Sequence, residues 1–414
     1  MIQISLITIG NELLKGRIVN TNASDIGEKL RSEGFTLHRV VTIADDATSI
    51  AQTVQQEMET HDVVLMSGGL GPTKDDITKK TLATLFDYPM VMHGPTLAFL
   101  EKRYQERGKT ITKLSKEQAL VPEGCEVIPN AMGTAPGMAF EGWNSRLYVM
   151  PGVPFEMRYM VEHEVIPDIQ KRFAQTSFHT SVLRLGDLPE SVAAEQMETI
   201  EAELPESLQV AYLPRHDGLW IELGMISENG TMKQVDQQLE QAKARIGTLF
   251  DEHLFTLGAH PVAQEIKDLC IEQNWSFSVA ESLTGGKLSA LMVEISGVSD
   301  IYRGSVTAYQ VQIKEQLLSV PAELIEAHSV VSSEVSVAMA EGVRKLLGAD
   351  FGLATTGYAE ASGDELPHAW IGFSGSQLTD SYRINLYHDR STNTTRTAHR
   401  ALVFALKKLK SLLG

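Results

Sequence analysis

Short apolar runs interleaved with stretches of helical periodicity dominate the first part of the chain. Ile2 to Ile9 reads as a strand that turns at Gly10-Asn11-Glu12. A helix follows from near Asn22 to Glu33, with Asn20, Thr21 or Asn22 as cap candidates and Gly34 as its stop. Phe35 to Ile43 reads as strand, Ile50 to Met58 as amphipathic helix, Asp62 to Met66 as strand and Ile77 to Phe86 as helix. Arg146 to Met150 adds a strand, and Pro154 suits the first turn of a helix running through Met157 and Val161. Strands alternating with helices predict a three-layer α/β domain with a mainly parallel sheet, whose ligands bind at the carboxyl ends of its strands. The loops Gly10 to Gly16, Ala44 to Asp46 and Ser67 to Asp76 should meet there. From Phe178 the order changes to strand (Phe178 to Leu185), helix (Ser191 to Leu204), two strands (Leu208 to Leu213, Leu219 to Ile226) and helix (Met232 to Phe250), a small α+β unit. Leu257 to Pro261 reads as a linker. A third, α/β segment begins with a helix through Val262 to Ile271 and a strand at Ser276 to Val279, and closes on a helix from Asn393 to Leu413.

Two of the turns carry candidate chemistry. In Ser67 to Asp76, SGGLGPTKDD, a buried strand opens through Gly68, Gly69 and Gly71 onto a helix start, so successive N–H groups can face a phosphate. Asp75 and Asp76 follow at once and are placed to hold a divalent metal over it. Farther on, Ser282 stands in Ala280 to Gly286, AESLTGG, another strand-loop-helix turn, where the N–H groups of Thr284, Gly285 and Gly286 can serve a phosphate or an oxyanion. A serine nucleophile needs a base. Lys314 can act directly or through Tyr309 if burial lowers its pKa.

Composition narrows the classes. The chain has 414 residues, long enough for two or three domains, with 43% hydrophobic and 21% charged residues. Its N-terminus is strand-like without a basic leader, and no apolar run approaches a membrane span, so a cytoplasmic protein with no membrane partner is expected. Cys125 and Cys270 are far apart and outside metal-ligand spacing. A net charge of −17 repels nucleic acid, and any anionic ligand must be gathered by local N–H groups or a metal.

Five strings, GNELLKGRIVNTN (10 to 22), SGGLGPTKDD (67 to 76), KEQALVPEG (116 to 124), NAMGTAPG (130 to 137) and PGVPFEM (151 to 157), resemble the N-terminal domain of the CinA (competence/damage-inducible) family, itself similar to molybdopterin-binding proteins of the MogA type. The resemblance implies hydrolysis of ADP-ribose to AMP and ribose 5-phosphate, dependent on Mg²⁺ or another divalent cation. It carries Gly68, Gly69, Gly71, Thr73, Asp75 and Asp76 into the phosphate and metal site, with Asp45 or Asp46 near it and Gly133, Thr134 and Gly137 closing the rim. Asp75 and Asp76 would divide the roles of metal ligand and base, with Glu12 and Glu156 as alternatives.

Residues 174 to 255 resemble the KH-type middle domain of longer CinA proteins. They lack a GXXG loop and hold five Lys or Arg against fourteen Asp or Glu, so the reading is a spacer or dimerisation domain that binds no nucleic acid, in a homodimer. Residues 256 to 414, through AESLTGG, TAYQVQIK, AHSVVS, MAEGVRKLLGAD and ATTGYAE, are similar to the CinA C-terminal domain. That resemblance implies a nicotinamide mononucleotide deamidase without a cofactor, with Ser282 as nucleophile and Tyr309 and Lys314 as the activating pair. Thr284, Gly285, Gly286 and Gly357 would contact the substrate. Leu283, Gln310 to Ile313 and Tyr358 to Ala361 depart from the family pattern, and Glu360 is added near a phosphate-bearing substrate. Arg390 or Arg396 is the candidate phosphate ligand, and His328 a candidate supporting residue. Together these imply a bifunctional hydrolase of pyridine-nucleotide salvage. The competing reading is a competence-linked scaffold that binds a pterin or nucleotide and carries a degenerate deamidase domain.

Overall fold

The computed structural model describes residues 2–71, 77–173, 176–228, 232–361 and 365–413. The chain divides into two compact units, Met1–Thr180 with Gly224–Gln238, and Ser181–Leu223 with Leu239–Gly414.

In the first unit, six strands form one sheet in the order Leu37–Ile43, Ile4–Ile9, Val63–Ser67, Ser145–Met150, Gly137–Gly142, Glu126–Ile128. The first four are parallel, and the last two are added through antiparallel pairings, so only Gly137–Gly142 runs against the rest. Side-chain alternation splits the strands between two cores. Leu6, Val63, Leu65, Tyr148 and Met150 pack with Ile26, Leu30 and Met157 on one face, and Ile7, Val64, Met66, Leu147 and Val149 pack with Ile50, Val54 and Met58 on the other. Both faces are covered, which is why these strands read as continuous apolar runs. Burial of each such side chain stabilises by roughly 1.5–3 kcal/mol. The antiparallel extension, the helix Gly94–Glu106 and the pair Met90–Met92 with Leu120–Pro122 have no counterpart in the sequence pattern.

The middle of the chain supplies a four-stranded sheet, ordered Gln209–Pro214, Leu219–Glu228, Thr176–Leu185, Leu254–Leu257. Its helices are Glu190–Glu201 and Met232–Leu249. Leu254–Leu257 is one of its edge strands, and its last residue is the first of the expected linker Leu257 to Pro261.

In the second unit, five strands are ordered Tyr302–Thr307, Phe277–Glu281, Phe351–Tyr358, His368–Ser374, Thr379–Asn385. The first three are parallel, and the last two are added through antiparallel pairings, so only His368–Ser374 runs against the rest. Helices Val262–Gln273, Lys287–Val293 and Arg390–Ser411 cover one face through Ile266, Leu288, Leu402 and Leu406 against Phe277, Val279 and Leu353. On the other face Val335, Met339 and Val343 of Ser333–Leu346 meet Ala280 and Ala354. That helix lies close: a Cβ on Gly352 or Gly372 would sit 2.0 Å from Ala340 O or 2.2 Å from Ser336 O. Among the described residues no helix is long and apolar enough to cross a membrane.

Candidate active site

The strand Phe277–Glu281 ends on a buried acid. Glu281 accepts hydrogen bonds from the N–H groups of Gly286 (2.9 Å), Leu288 (3.0 Å) and Ser289 (2.9 Å), and from the Ser289 hydroxyl. One carboxylate thus caps the helix Lys287–Val293 and folds the intervening turn back over itself. Ser282, the first residue of that turn, donates its N–H to Thr355 O at 2.9 Å, and Thr284 Oγ1 lies 2.7 Å from Thr355 Oγ1. The serine is therefore pinned to the neighbouring strand. It is only 9% exposed.

Lys314, on the helix Val311–Leu318, reaches it from the other side. Its Nζ lies 3.1 Å from Ser282 Oγ, 2.6 Å from Ala308 O and 3.3 Å from Tyr309 O. Two carbonyls and one hydroxyl surround an amine that is 1% exposed. Burial pulls its pKa down to about 8. The neutral form is thereby favoured by about 3 kcal/mol relative to a lysine in water. A neutral amine has two N–H bonds to give and one lone pair, which matches two carbonyl acceptors and one serine proton.

Ser282 and Lys314 line a cleft of about 400 Å³ with Tyr309, Thr356, Gly357, Glu360 and Arg390 among its other walls. Tyr309 contributes its backbone to Lys314, while its phenol is exposed and receives a hydrogen bond from Arg390 Nη2 at 3.1 Å. Lys314 therefore reaches the serine directly. Arg390 Nη1 also pairs with Glu360 at 3.2 Å, so the added acid occupies the cation at the cleft wall. Arg396 lies elsewhere, donating to His388 Nε2 at 2.8 Å. His328 faces Glu334 at 3.6 Å on an exposed surface and does not line the cleft. Of the expected N–H donors, Gly285 is bonded to Ser282 O at 3.2 Å and Gly286 to Glu281, because the turn closes on itself. The N–H groups of Leu283 and Thr284 keep no intramolecular acceptor among the described residues. The role of Glu281 escaped the sequence reading, although an acid just before a Ser-x-x-Gly-Gly helix start is a signal of such a cap.

In the N-terminal unit the expected loops do gather at the carboxyl ends of the strands. Asn22 Nδ2 donates to Ser67 Oγ (3.0 Å) and Gly152 O (2.9 Å), Gly68 N to Met150 O (3.0 Å) and Gly10 N to Ile43 O (3.2 Å). Gly69 has φ +66°, and a Cβ there would sit 2.0 Å from Thr78 Oγ1 and 3.7 Å from Asp45 Oδ1, so only glycine lets these groups converge. Gly71 is exposed beside them. Asp46 instead caps the helix Ala47–Thr60, accepting from Ser49 N (2.9 Å) and Oγ (2.7 Å), which holds its carboxyl below the usual range. Thr73, Asp75 and Asp76 lie outside the described residues. Glu12 folds against Gly10, where its Oε1 lies 2.5 Å from an added Cβ. Glu156 accepts from Asn130 Nδ2 at 2.7 Å and lies against Gly133, whose N–H is bonded to Asn130 Oδ1 at 2.8 Å. Arg103 clamps the same loop through the carbonyls of Ala131, Met132 and Gly133. Thr134 is half-buried there. Gly137 opens a strand and packs under Met160, so it lies in the core instead of on the rim. Among the described residues no group of three or more His, Cys, Asp or Glu is placed to hold a metal.

Similarity to known proteins follows the same division. A family model described as the CinA C-terminal domain matches residues 259–409, and one described as a probable molybdopterin binding domain matches residues 5–171. A CinA-like protein of Cytophaga hutchinsonii is 34% identical over 412 residues, covering 98% of each chain. A putative competence-damage inducible protein of Halothermothrix orenii is 32% identical over 410 residues, again covering 98% of each. The crystal structure of the protein CinA from Thermoplasma acidophilum is 35% identical, covers 41% of this chain and 96% of that one, and superposes with a TM-score of 0.36. A likeness of this strength that runs from end to end makes this chain a member of the CinA-like family.

Proposed function

We propose that the C-terminal segment hydrolyses the amide of a pyridine nucleotide, nicotinamide mononucleotide, with Ser282 as nucleophile and Lys314 as base. The observation that carries this reading is the 3.1 Å approach of a desolvated lysine to a serine fixed on a strand end. Neutral Lys314 takes the Ser282 proton as Oγ attacks the amide carbon. The oxyanion then meets the N–H groups of Leu283 and Thr284, the donors of the turn that remain available. Lys314 returns the proton to the departing nitrogen, which leaves as ammonia. Water, deprotonated by the same amine, cleaves the resulting ester to free the acid and restore the serine. Arg390 is the phosphate ligand in this scheme and must exchange Glu360 for the substrate. A scaffold has no use for a lysine desolvated against a serine, which is why the enzyme reading is preferred.

We assign to the N-terminal segment the cleavage of ADP-ribose to AMP and ribose 5-phosphate, with Mg²⁺ or another divalent cation. Asp45 and the buried Thr78 Oγ1 beside Gly69 are hard oxygen donors suited to such an ion, and Asp75 and Asp76 would complete its shell. When bound, the cation would neutralise the charge on the pyrophosphate oxygens. The glycine turn brings the backbone close to the phosphate, and the Arg103-clamped loop 130–136 keeps the rim in place. Incubating the purified chain with both nucleotides and resolving the products by chromatography tests the pair of assignments. Ammonia with the mononucleotide acid, and AMP with ribose 5-phosphate, are the expected products.

A further inference from the structure

Arg396, Arg400 and Lys407 lie four and seven residues apart on the helix Arg390–Ser411 and so share one face. That face borders a cavity of about 480 Å³, within the size range of small-molecule sites, whose walls include Asp187, Tyr382, Arg383, Tyr387, Arg396 and Arg400. It shares no wall residue with the cleft of Ser282.

The charges there are unbalanced. Three arginines line the cavity against one carboxylate, leaving two positive charges without a counter-charge among its walls. Arg396 gives its Nη1 proton to His388 Nε2, a neutral acceptor. Arg400, 11% exposed, has Nη1 at 3.0 Å from Asp187 Oδ1, yet out of line for a hydrogen bond and with no other acceptor among the described residues. Asp187 is further occupied by the Tyr382 hydroxyl. Burial and the proximity of Arg400 hold Arg396 below its ordinary pKa, and burial with Arg400 and Lys408 does the same to Lys407. Crowding partly buried cations around a single carboxylate is unfavourable, and an anion would complete the set.

We propose that this cavity binds the phosphate or pyrophosphate group of a small phosphorylated ligand, held in the fork of Arg396 and Arg400 with Arg383 at its edge. Guanidinium groups suit this task because their planar N–H forks match phosphate oxygens in pairs. Inorganic pyrophosphate supplies the anion alone, and adenosine diphosphate adds a base that Tyr382 or Tyr387 can stack.

Isothermal titration of the full chain with each probe tests this, using wild type, Arg396→Gln, the exposed Arg383→Gln and, as a control for the other cleft, Arg390→Gln. Thermal melting confirms that each variant is folded. A saturable binding component is expected that is weakened at least about tenfold by Arg396→Gln, less by Arg383→Gln, and by high salt, whereas Arg390→Gln removes only binding in the Ser282 cleft and leaves this component in place. Tighter binding of the diphosphate nucleotide would assign the site to nucleotides, and equal binding to the phosphate group alone. Absence of saturable binding of both probes at millimolar concentration overturns the proposal. So does binding that is indifferent to both Arg383→Gln and Arg396→Gln.

Discussion

At the scale of single residues the account rests on the protonation of Lys314. Its amine must be neutral to accept the serine proton, so deamidation should rise with pH through about 8 and level off above it. Between pH 7 and pH 9 the gain should be about tenfold, and a pH profile of kcat/KM checks it. The same group links to stability. Its folded pKa lies below that of the unfolded chain, so the native state binds fewer protons between about pH 8 and the ordinary lysine value of 10.5, and its contribution to stability improves as pH rises across that window. Urea titration of wild type against Lys314→Met should show wild type gaining on the variant from pH 8 to pH 10, and a constant difference would contradict the desolvated lysine. At Arg390, Glu360→Gln should lower KM for the phosphate-bearing substrate, because the guanidinium is released from its 3.2 Å partner, while Arg390→Gln should raise it. Ser282 and Lys314 could be read from the sequence because each belongs to a motif with its own chemistry. The loss of Gly285 and Gly286 as donors could not, since a backbone N–H is spent only when the turn closes in space.

At the scale of elements, two turns decide whether either site forms. Glu281 satisfies three N–H groups at the start of the helix Lys287–Val293, so Glu281→Ala should cost about 2 kcal/mol or more and lower deamidation with it, as read by thermal melting and ammonia release. Glu281→Gln keeps the shape and should recover part of the stability. Gly69→Ala forces a Cβ against Thr78 Oγ1 at a positive φ, and should abolish ADP-ribose cleavage while leaving deamidation within about twofold of wild type. The parallel strands were legible because burial on both faces makes them unbroken apolar runs. The short strands Glu126–Ile128 and Gly137–Gly142 were not, since their glycines and charges read as loop until the neighbouring strand supplies hydrogen bonds. Gly137 shows the same limit: its place beneath Met160 depends on packing that no local pattern encodes.

For the whole molecule, the net charge of −17 and the acidic segment 174–255 lead to an expectation of no RNA or DNA binding at physiological salt, checked by fluorescence anisotropy; salt-sensitive binding would overturn it. The larger claim is that one chain holds two separable chemistries. In the proposed scheme the amide site would work through a serine, an amine and backbone N–H groups, whereas the pyrophosphate site would need a cation to offset its oxygens. The most direct measurement follows ammonia release from nicotinamide mononucleotide by wild type and by Ser282→Ala, each with and without EDTA, with ADP-ribose cleavage followed in the same samples. Ammonia release should vanish in Ser282→Ala and persist in EDTA, and ADP-ribose cleavage should do the reverse. Undiminished ammonia release by Ser282→Ala, or equal loss of both activities in EDTA, would contradict the account.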